Sequence, residues 1–172
     1  MCRHNRSIAR EFVAALLLVV LPVVSFAEFK EAESLPDLAS YQLEGTLPEG
    51  LKGQVVLVDF WASWCVTCKS SFPAMEQLNR DFGGRGLTIV AISVDEKREN
   101  MQQFLKAIKV SFAVVRDVRQ KLVAAADIRS MPTSFLIDRS GKIRFVHAGF
   151  DGEKTTREYV KEIEQLLREP KP

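Results

Sequence analysis

Cys65 and Cys68 stand two residues apart in the run Trp61-Ala62-Ser63-Trp64-Cys65-Val66-Thr67-Cys68-Lys69, where an apolar segment gives way to a helical pattern. Thiols at this spacing can make and break disulfides: one attacks as the thiolate and the other resolves the mixed disulfide that results. Position favours Cys65 as the attacker. It falls at the start of the helical pattern, where unpaired N–H groups and the positive end of the helix dipole stabilise negative charge. Cysteines placed there have pKa values lowered from ~8.5 to as little as ~3.5. Cys68, one turn further in, is then the resolving thiol. The same spacing is half of a zinc site, but such a site needs two further Cys or His ligands, and beyond the N-terminal region the chain offers only His147. A third reading, an inert structural disulfide, is opposed by Trp64 beside the pair and by an acid just upstream.

That acid is Asp59, set within the run VVLVDFW. A charge in so apolar a run is costly to bury without a purpose or a partner. The functional expectation is a buried carboxyl of raised pKa that passes a proton to or from Cys68 as the mixed disulfide resolves. The alternative is an aspartate at a strand end that faces water or caps the next turn.

These side chains need a strand and a helix to hold them. The segment QVVLVDF over 54–60 opens a buried strand taken as 54–61, and a helix follows over 66–82, with Phe72, Met75, Leu78 and Phe82 at helical spacing. Gly83-Gly84-Arg85-Gly86 ends the helix and opens a strand over 87–94, completing a βαβ unit. No GK[ST] follows these glycines, so they read as a helix stop and not as a phosphate cradle. Met101, Phe104, Leu105 and Ile108 mark a further helix, followed by a short strand near 112–115 and a helix over 118–127. Strands near 133–139 and 142–148 meet at the hairpin turn Arg139-Ser140-Gly141, and Tyr159, Val160, Ile163, Leu166 and Leu167 stripe the last helix. The stretch 28–50, broken by Pro36 and Pro48, is expected to be irregular or a short hairpin.

The segment VDFWASWCVTCK resembles the active-site segment of thioredoxin in its acid, both tryptophans, both cysteines and the following lysine. Pro73 matches that family's helix-kinking proline, and Ile128-Arg129-Ser130-Met131-Pro132-Thr133 is similar to the segment carrying its cis-proline. The resemblance implies a cis bond between Met131 and Pro132 that lets the Met131 backbone pair with a substrate strand. It also implies that Trp64 rims the same groove. Gly149 matches a glycine lining that groove, although a plain strand-end turn glycine fits the sequence as well. The insertion over 97–115, the leader and the ending PTSFLIDRSGKI resemble exported proteins of the TlpA and ResA kind.

The implied fold is an α/β thioredoxin-like sandwich: a central mixed sheet with helices on both faces and an inserted helix-strand unit. The implied activity is a thiol:disulfide oxidoreductase, with the Cys65-Cys68 disulfide as its redox group and no other cofactor and no metal. Its expected partners are protein disulfide substrates, apocytochrome c or copper-site cysteines among them, and a membrane electron donor, with the protein itself a monomer. Three departures limit the transfer. Val66-Thr67 replaces the Gly-Pro of thioredoxin, so the redox potential does not carry over. Ala91 stands where thioredoxin has a lysine near the buried acid, which makes Asp59 harder to ionise. Many TlpA-like proteins lack an acid at the Asp59 position. Rival readings are a dithiol oxidase with the same residues, and a non-catalytic copper-binding or chaperone module, although copper carriers of related fold use CxxxC with a distant histidine.

The chain of 172 residues, 47% hydrophobic and 27% charged, has the proportions of one globular domain. Its start stands apart: Arg3, His4, Arg6 and Arg10 precede an apolar run over 12–24, and Ser25-Phe26-Ala27 places small residues at the −3 and −1 positions of a cleavage site. Residues 1–27 are therefore expected to be a signal peptide, 28–172 the mature domain and the periplasm its compartment. Left uncleaved, the leader would anchor the domain to the inner membrane facing that compartment, although the run falls short of the ~20 residues of a membrane span. Cleavage would remove Cys2 and leave Cys65 and Cys68 as the only thiols in an oxidising compartment. The leader holds Arg3, Arg6 and Arg10 against Glu11, so the 24 basic and 22 acidic residues of the whole chain fall to 21 of each. A near-neutral domain of this kind gives no footing for nucleic-acid binding.

Overall fold

The computed structural model describes Met1 and residues 31–171, so the expected leader and its cleavage site lie outside the described residues. Strand β1 (Val55–Trp61) is buried along its whole length. Val55, Leu57 and Trp61 project into one core, and Val56, Val58 and Phe60 project into another on the opposite face. A strand covered on both faces has no polar face to show, which is why its sequence reads as a continuous apolar run.

After β1 come α1 (Val66–Phe82), β2 (Leu87–Ser93), α2 (Arg98–Ala107), β3 (Ala113–Arg116), α3 (Lys121–Ala125), β4 (Thr133–Ile137), β5 (Ile143–Ala148) and α4 (Gly152–Arg168). They build a five-stranded sheet in the order β3-β2-β1-β4-β5. Strands β1, β2 and β3 run parallel, β4 is antiparallel to β1, and β5 is antiparallel to β4. The first core is closed by α1 through Phe72, Met75 and Leu78, by α2 through Met101 and Phe104, and by α4 through Tyr159, Ile163 and Leu166. Leu122 of α3 enters the second core. The sheet is mixed, helices lie on both faces, and α2 with β3 forms the added helix-strand unit at one edge.

Aromatic packing ties that unit to the strand and helix that flank the cysteines. The Phe104 ring lies 4.6 Å from Trp61 and 4.9 Å from Phe72, and Trp61 and Phe72 are themselves 4.6 Å apart. Truncating a buried phenylalanine in such a cluster typically costs about 3–5 kcal/mol. Helix α1 ends at Gly83 as the sequence suggests, and the left-handed φ of +107° at Gly86 turns the chain so that the Gly86 carbonyl accepts from Val55 N–H at 3.0 Å. A side chain is disfavoured at that φ.

Two elements differ from expectation. Helix α3 covers 121–125, not 118–127. Gln120 takes a left-handed φ of 55° and the Asp117 carboxylate accepts from the N–H groups of Lys121, Leu122 and Val123, so the helix begins only there. Strand β4 stops at Ile137 because the Asp138 carboxylate takes the N–H groups of Ser140 and Lys142 and folds the chain into the hairpin turn. The stretch from 31 to 50 is irregular, one of the two forms expected of it. It bridges to Lys142 through Ser34 beside β5, makes a single 3-10 turn (Leu38–Tyr41), and bridges to Arg116 of β3 through Glu44. It thus crosses the sheet from edge to edge, and Leu35, Leu38, Tyr41 and Leu43 fill the second core. A helix of five residues is too short to cover that face alone.

Candidate active site

Cys65 is the N-cap of α1, and its backbone is still extended, with φ −81° and ψ 115°. Its sulfur therefore faces the unpaired donors of the first turn and accepts the Cys68 N–H at 3.1 Å. Cys65 and Cys68 are joined in a disulfide. Cys68 is wholly buried while Cys65 retains 6% exposure, so an approaching group meets Cys65 first. Beside them Trp64 and Val66 are exposed at 68% and 76%, an apolar pair left uncovered on the rim.

The loop ahead of β4 closes on the same spot. Thr67 Oγ1 donates to the Met131 carbonyl at 3.3 Å and lies 3.3 Å from Cys65 Sγ, so one hydroxyl spans the gap between the sulfur and the Met131 backbone. Thr67 occupies the position that in the thioredoxin motif is proline, which could make neither contact. The Met131–Pro132 bond is cis. Gly149, at φ +88°, donates its N–H to the Pro132 carbonyl at 2.7 Å, which brings the end of β5 to the same corner. The structure thus gathers Cys65, Cys68, Trp64, Met131, Pro132 and Gly149 at one end of the sheet.

Asp59 lies deeper, on the β1 face that also carries Leu57 and Trp61, and has no exposed surface. That removes the water-facing alternative. In register it stands between Ala91 of β2 and Ser134 of β4. The Ser134 hydroxyl donates to Oδ1 at 2.8 Å, whereas Oδ2 has no hydrogen-bond partner. Burial pushes the carboxyl up to about 7, with the Ser134 hydrogen bond opposing the shift. Ala91 brings no positive charge to offset it. The Tyr159 hydroxyl lies 2.6 Å from Ser134 Oγ, and its pKa is raised by burial and further by the Asp59 charge.

Sequence reasoning missed a second buried acid. Asp95, just past the end of β2, accepts from the Ser63 N–H at 3.0 Å, the Ser63 hydroxyl at 2.7 Å and the Ser93 hydroxyl at 2.9 Å. It holds the loop that presents Trp64 and Cys65. Arg116 braces it from behind, donating to the Glu96 carbonyl at 2.8 Å and to Glu44 at 2.5 Å, and Glu44 also pairs with Arg98 at the head of α2. The available signal was topological: adjacent parallel strands end at the same edge, so an acid just beyond β2 falls beside the loop that follows β1.

His147, the one histidine available to the metal readings, is committed elsewhere. Its Nε2 is 2.7 Å from a Glu162 carboxylate oxygen, and its ring stands edge-on to Tyr159 with centroids 4.9 Å apart. Among the described residues no group of three or more His, Cys, Asp or Glu side chains is arranged to hold a metal ion.

Residues 22–167 match the Redoxin family. The chain is 31% identical over 169 residues to the thiol-disulfide oxidoreductase ResA of Bacillus subtilis strain 168, a match that spans 93% of this chain and 94% of the relative. It aligns with the crystal structure of a candidate thiol:disulfide interchange protein DsbE from Chlorobium tepidum at TM-score 0.71 and 31% identity, covering 83% of this chain and 99% of that one. A thiol:disulfide interchange protein of the thioredoxin family from Chlorobium tepidum TLS aligns at TM-score 0.60 and 30% identity, covering 68% and 82%. The thioredoxin-like sandwich expected from the sequence is the fold that forms.

Proposed function

Because this chain belongs to the redoxin family and is a thiol-disulfide oxidoreductase, we propose that it is an exported reductase of protein disulfides in which Cys65 attacks and Cys68 resolves. One observation carries the assignment of the two thiols: the Cys65 sulfur caps α1 and takes the Cys68 N–H, while Cys68 is sealed from solvent. In the reduced protein the same N–H and the helix dipole favour a thiolate on Cys65. That thiolate attacks a substrate disulfide, forming a new S–S bond and releasing the first substrate thiolate. Cys68 then gives up its proton, with Asp59 as the acceptor, and attacks the Cys65 sulfur. The second substrate thiolate leaves, the substrate has gained two electrons, and Cys65 and Cys68 are again a disulfide.

Trp64, Met131, Pro132 and Gly149 are the proposed substrate groove. The Thr67 hydroxyl between the sulfur and the Met131 carbonyl supports this reading, since an extended segment pairing with the Met131 backbone would lie against Cys65. The basic, apolar and small-residue pattern of residues 1–27 supports export to the periplasm. Among the described residues no helix is long and apolar enough to cross a membrane. Apocytochrome c or copper-site cysteines are the proposed substrates, a membrane electron donor restores the dithiol, and the protein works as a monomer. The reductase direction rests on the acid-bearing, thioredoxin-like site, and the reduction potential measures it directly.

The deciding experiment is trapping. Cys68→Ser should accumulate a mixed disulfide with substrate protein, and Cys65→Ser should abolish exchange, both read by mass spectrometry under non-reducing conditions. Accumulation on Cys65→Ser instead would reverse the two roles.

A further inference from the structure

Asp59 is the inner end of a chain of hydroxyls that no sequence motif announces. A serine hydroxyl carries one hydrogen, and Ser134 donates it to Asp59 Oδ1 at 2.8 Å. At 2.6 Å from Ser134 Oγ, the Tyr159 hydroxyl must then be the donor to that oxygen. The order is Tyr159 to Ser134 to Asp59. Burial and the neighbouring carboxylate hold the proton on the Tyr159 phenol, so its role as donor is fixed. Reversing the order would have Asp59 donate to Ser134 and Ser134 to Tyr159. The phenol hydrogen would then lose its only acceptor among the described residues, inside a site that is sealed from water.

We propose that Ser134 and Tyr159 are positioning residues for Asp59, an oriented pair of hydroxyls that fixes Oδ1 as a hydrogen-bond acceptor and leaves the unpartnered Oδ2 as the oxygen that gains and loses the proton. Each bond in such a chain polarises the next, which favours the ionised carboxylate against the desolvation that opposes it. The charged neighbours lie beyond the tyrosine. Glu158 and Glu162 of α4 act on the phenol, His147 of β5 is paired with Glu162, and β2 contributes only Ala91. The hydroxyl pair is therefore what tunes Asp59 from within the core. The catalytic use of this tuning rests on the reading of Asp59 as the acceptor of the Cys68 proton.

The test is a carbon-13 NMR titration of the Asp59 carboxyl in the oxidised protein, where no thiol titrates alongside it, in wild type, Ser134→Ala, Ser134→Thr and Tyr159→Phe. Thermal melts confirm folding. Loss of the donor should raise the Asp59 midpoint by about one pH unit in Ser134→Ala, a roughly tenfold loss of ionised carboxylate at a fixed pH below both midpoints. Tyr159→Phe should raise it less, and Ser134→Thr, which keeps the hydroxyl, should restore the wild-type value. An unmoved midpoint in Ser134→Ala and Tyr159→Phe would overturn the proposal. Should Ser134→Ala fail to fold, Tyr159→Phe decides by itself. The pH profile of mixed-disulfide resolution is measured on the same variants: a midpoint that moves while the rate profile stays put would keep the hydroxyl chain and discard the proton-acceptor reading of Asp59.

Discussion

Two carboxylates are buried near the cysteines, and the protein treats them in opposite ways. Asp95 receives an N–H and two hydroxyls, and its backbone is braced by Arg116. Asp59, two strand positions before Trp61, receives one hydroxyl and keeps one oxygen bare. A carboxylate whose lone pairs are met by several donors is a fixed anchor, and here it anchors the Ser63 loop. A carboxyl with a single donor in the core is held near the boundary between its protonated and ionised forms, where the proposed acceptor of the Cys68 proton has to be. Burial alone does not separate structure from chemistry at this site. The number of donors does.

The contrast breaks most visibly at Asp95. Asp95→Ala should cost about 4 kcal/mol in chemical denaturation, since it leaves the Ser93 hydroxyl unpaired in the interior and frees the half-buried Ser63 loop from both of its bonds to this carboxylate. A loss below 1 kcal/mol would mean that the loop is held by something other than this acid.

Asp59→Asn should behave in the opposite sense. The folded-state value of about 7 lies above the ~3.9 of an unfolded aspartate, so the native protein binds the proton more tightly. This favours folding fully below about pH 4, and the contribution is lost as the pH rises through about 7, a decline on the order of 4 kcal/mol. Melts of wild type and Asp59→Asn across that window should diverge accordingly, with the variant gaining relative stability as pH rises. Resolution of a pre-formed mixed disulfide should meanwhile slow about 100-fold in the variant, the scale of a lost general base. Resolution at the wild-type rate would remove Asp59 from the chemistry.

Trp64→Ala should give the smallest effect and separate the loop from what it presents. The side chain is 68% exposed, so stability should hold within about 0.5 kcal/mol. Exchange with a protein substrate should fall about fivefold, roughly 1 kcal/mol, while exchange with a small disulfide such as oxidised glutathione stays constant. Equal losses for both would place Trp64 in the chemistry of the sulfurs and not in substrate contact.

What was legible in the sequence was local or carried by a motif. The limits of α1 follow from an apolar stripe and a glycine stop, and the cysteines, Trp64 and Asp59 lie within ten residues of one another. Met131 and Gly149 came from resemblance and not from periodicity. The rest depends on contacts between distant parts of the chain. Ser134 reads as an ordinary strand residue and Tyr159 as one stripe position of a helix, yet they meet each other 25 residues apart, and Ser134 meets Asp59 75 residues away. Asp95 reaches Ser63 across 32 residues. Helix α3 was overextended because Asp117, an unremarkable acid in sequence, diverts three N–H groups to its own carboxylate.

The Cys68 N–H is aimed at the Cys65 sulfur while the two cysteines are still bonded to each other. On reduction, the charge that appears on Cys65 meets a dipole already in place. Most of the cost of stabilising an anion in water lies in turning solvent toward it, and a donor fixed by the helix backbone has paid that cost during folding. The head of α1 in the oxidised protein thus already carries the donor that a thiolate on Cys65 calls for.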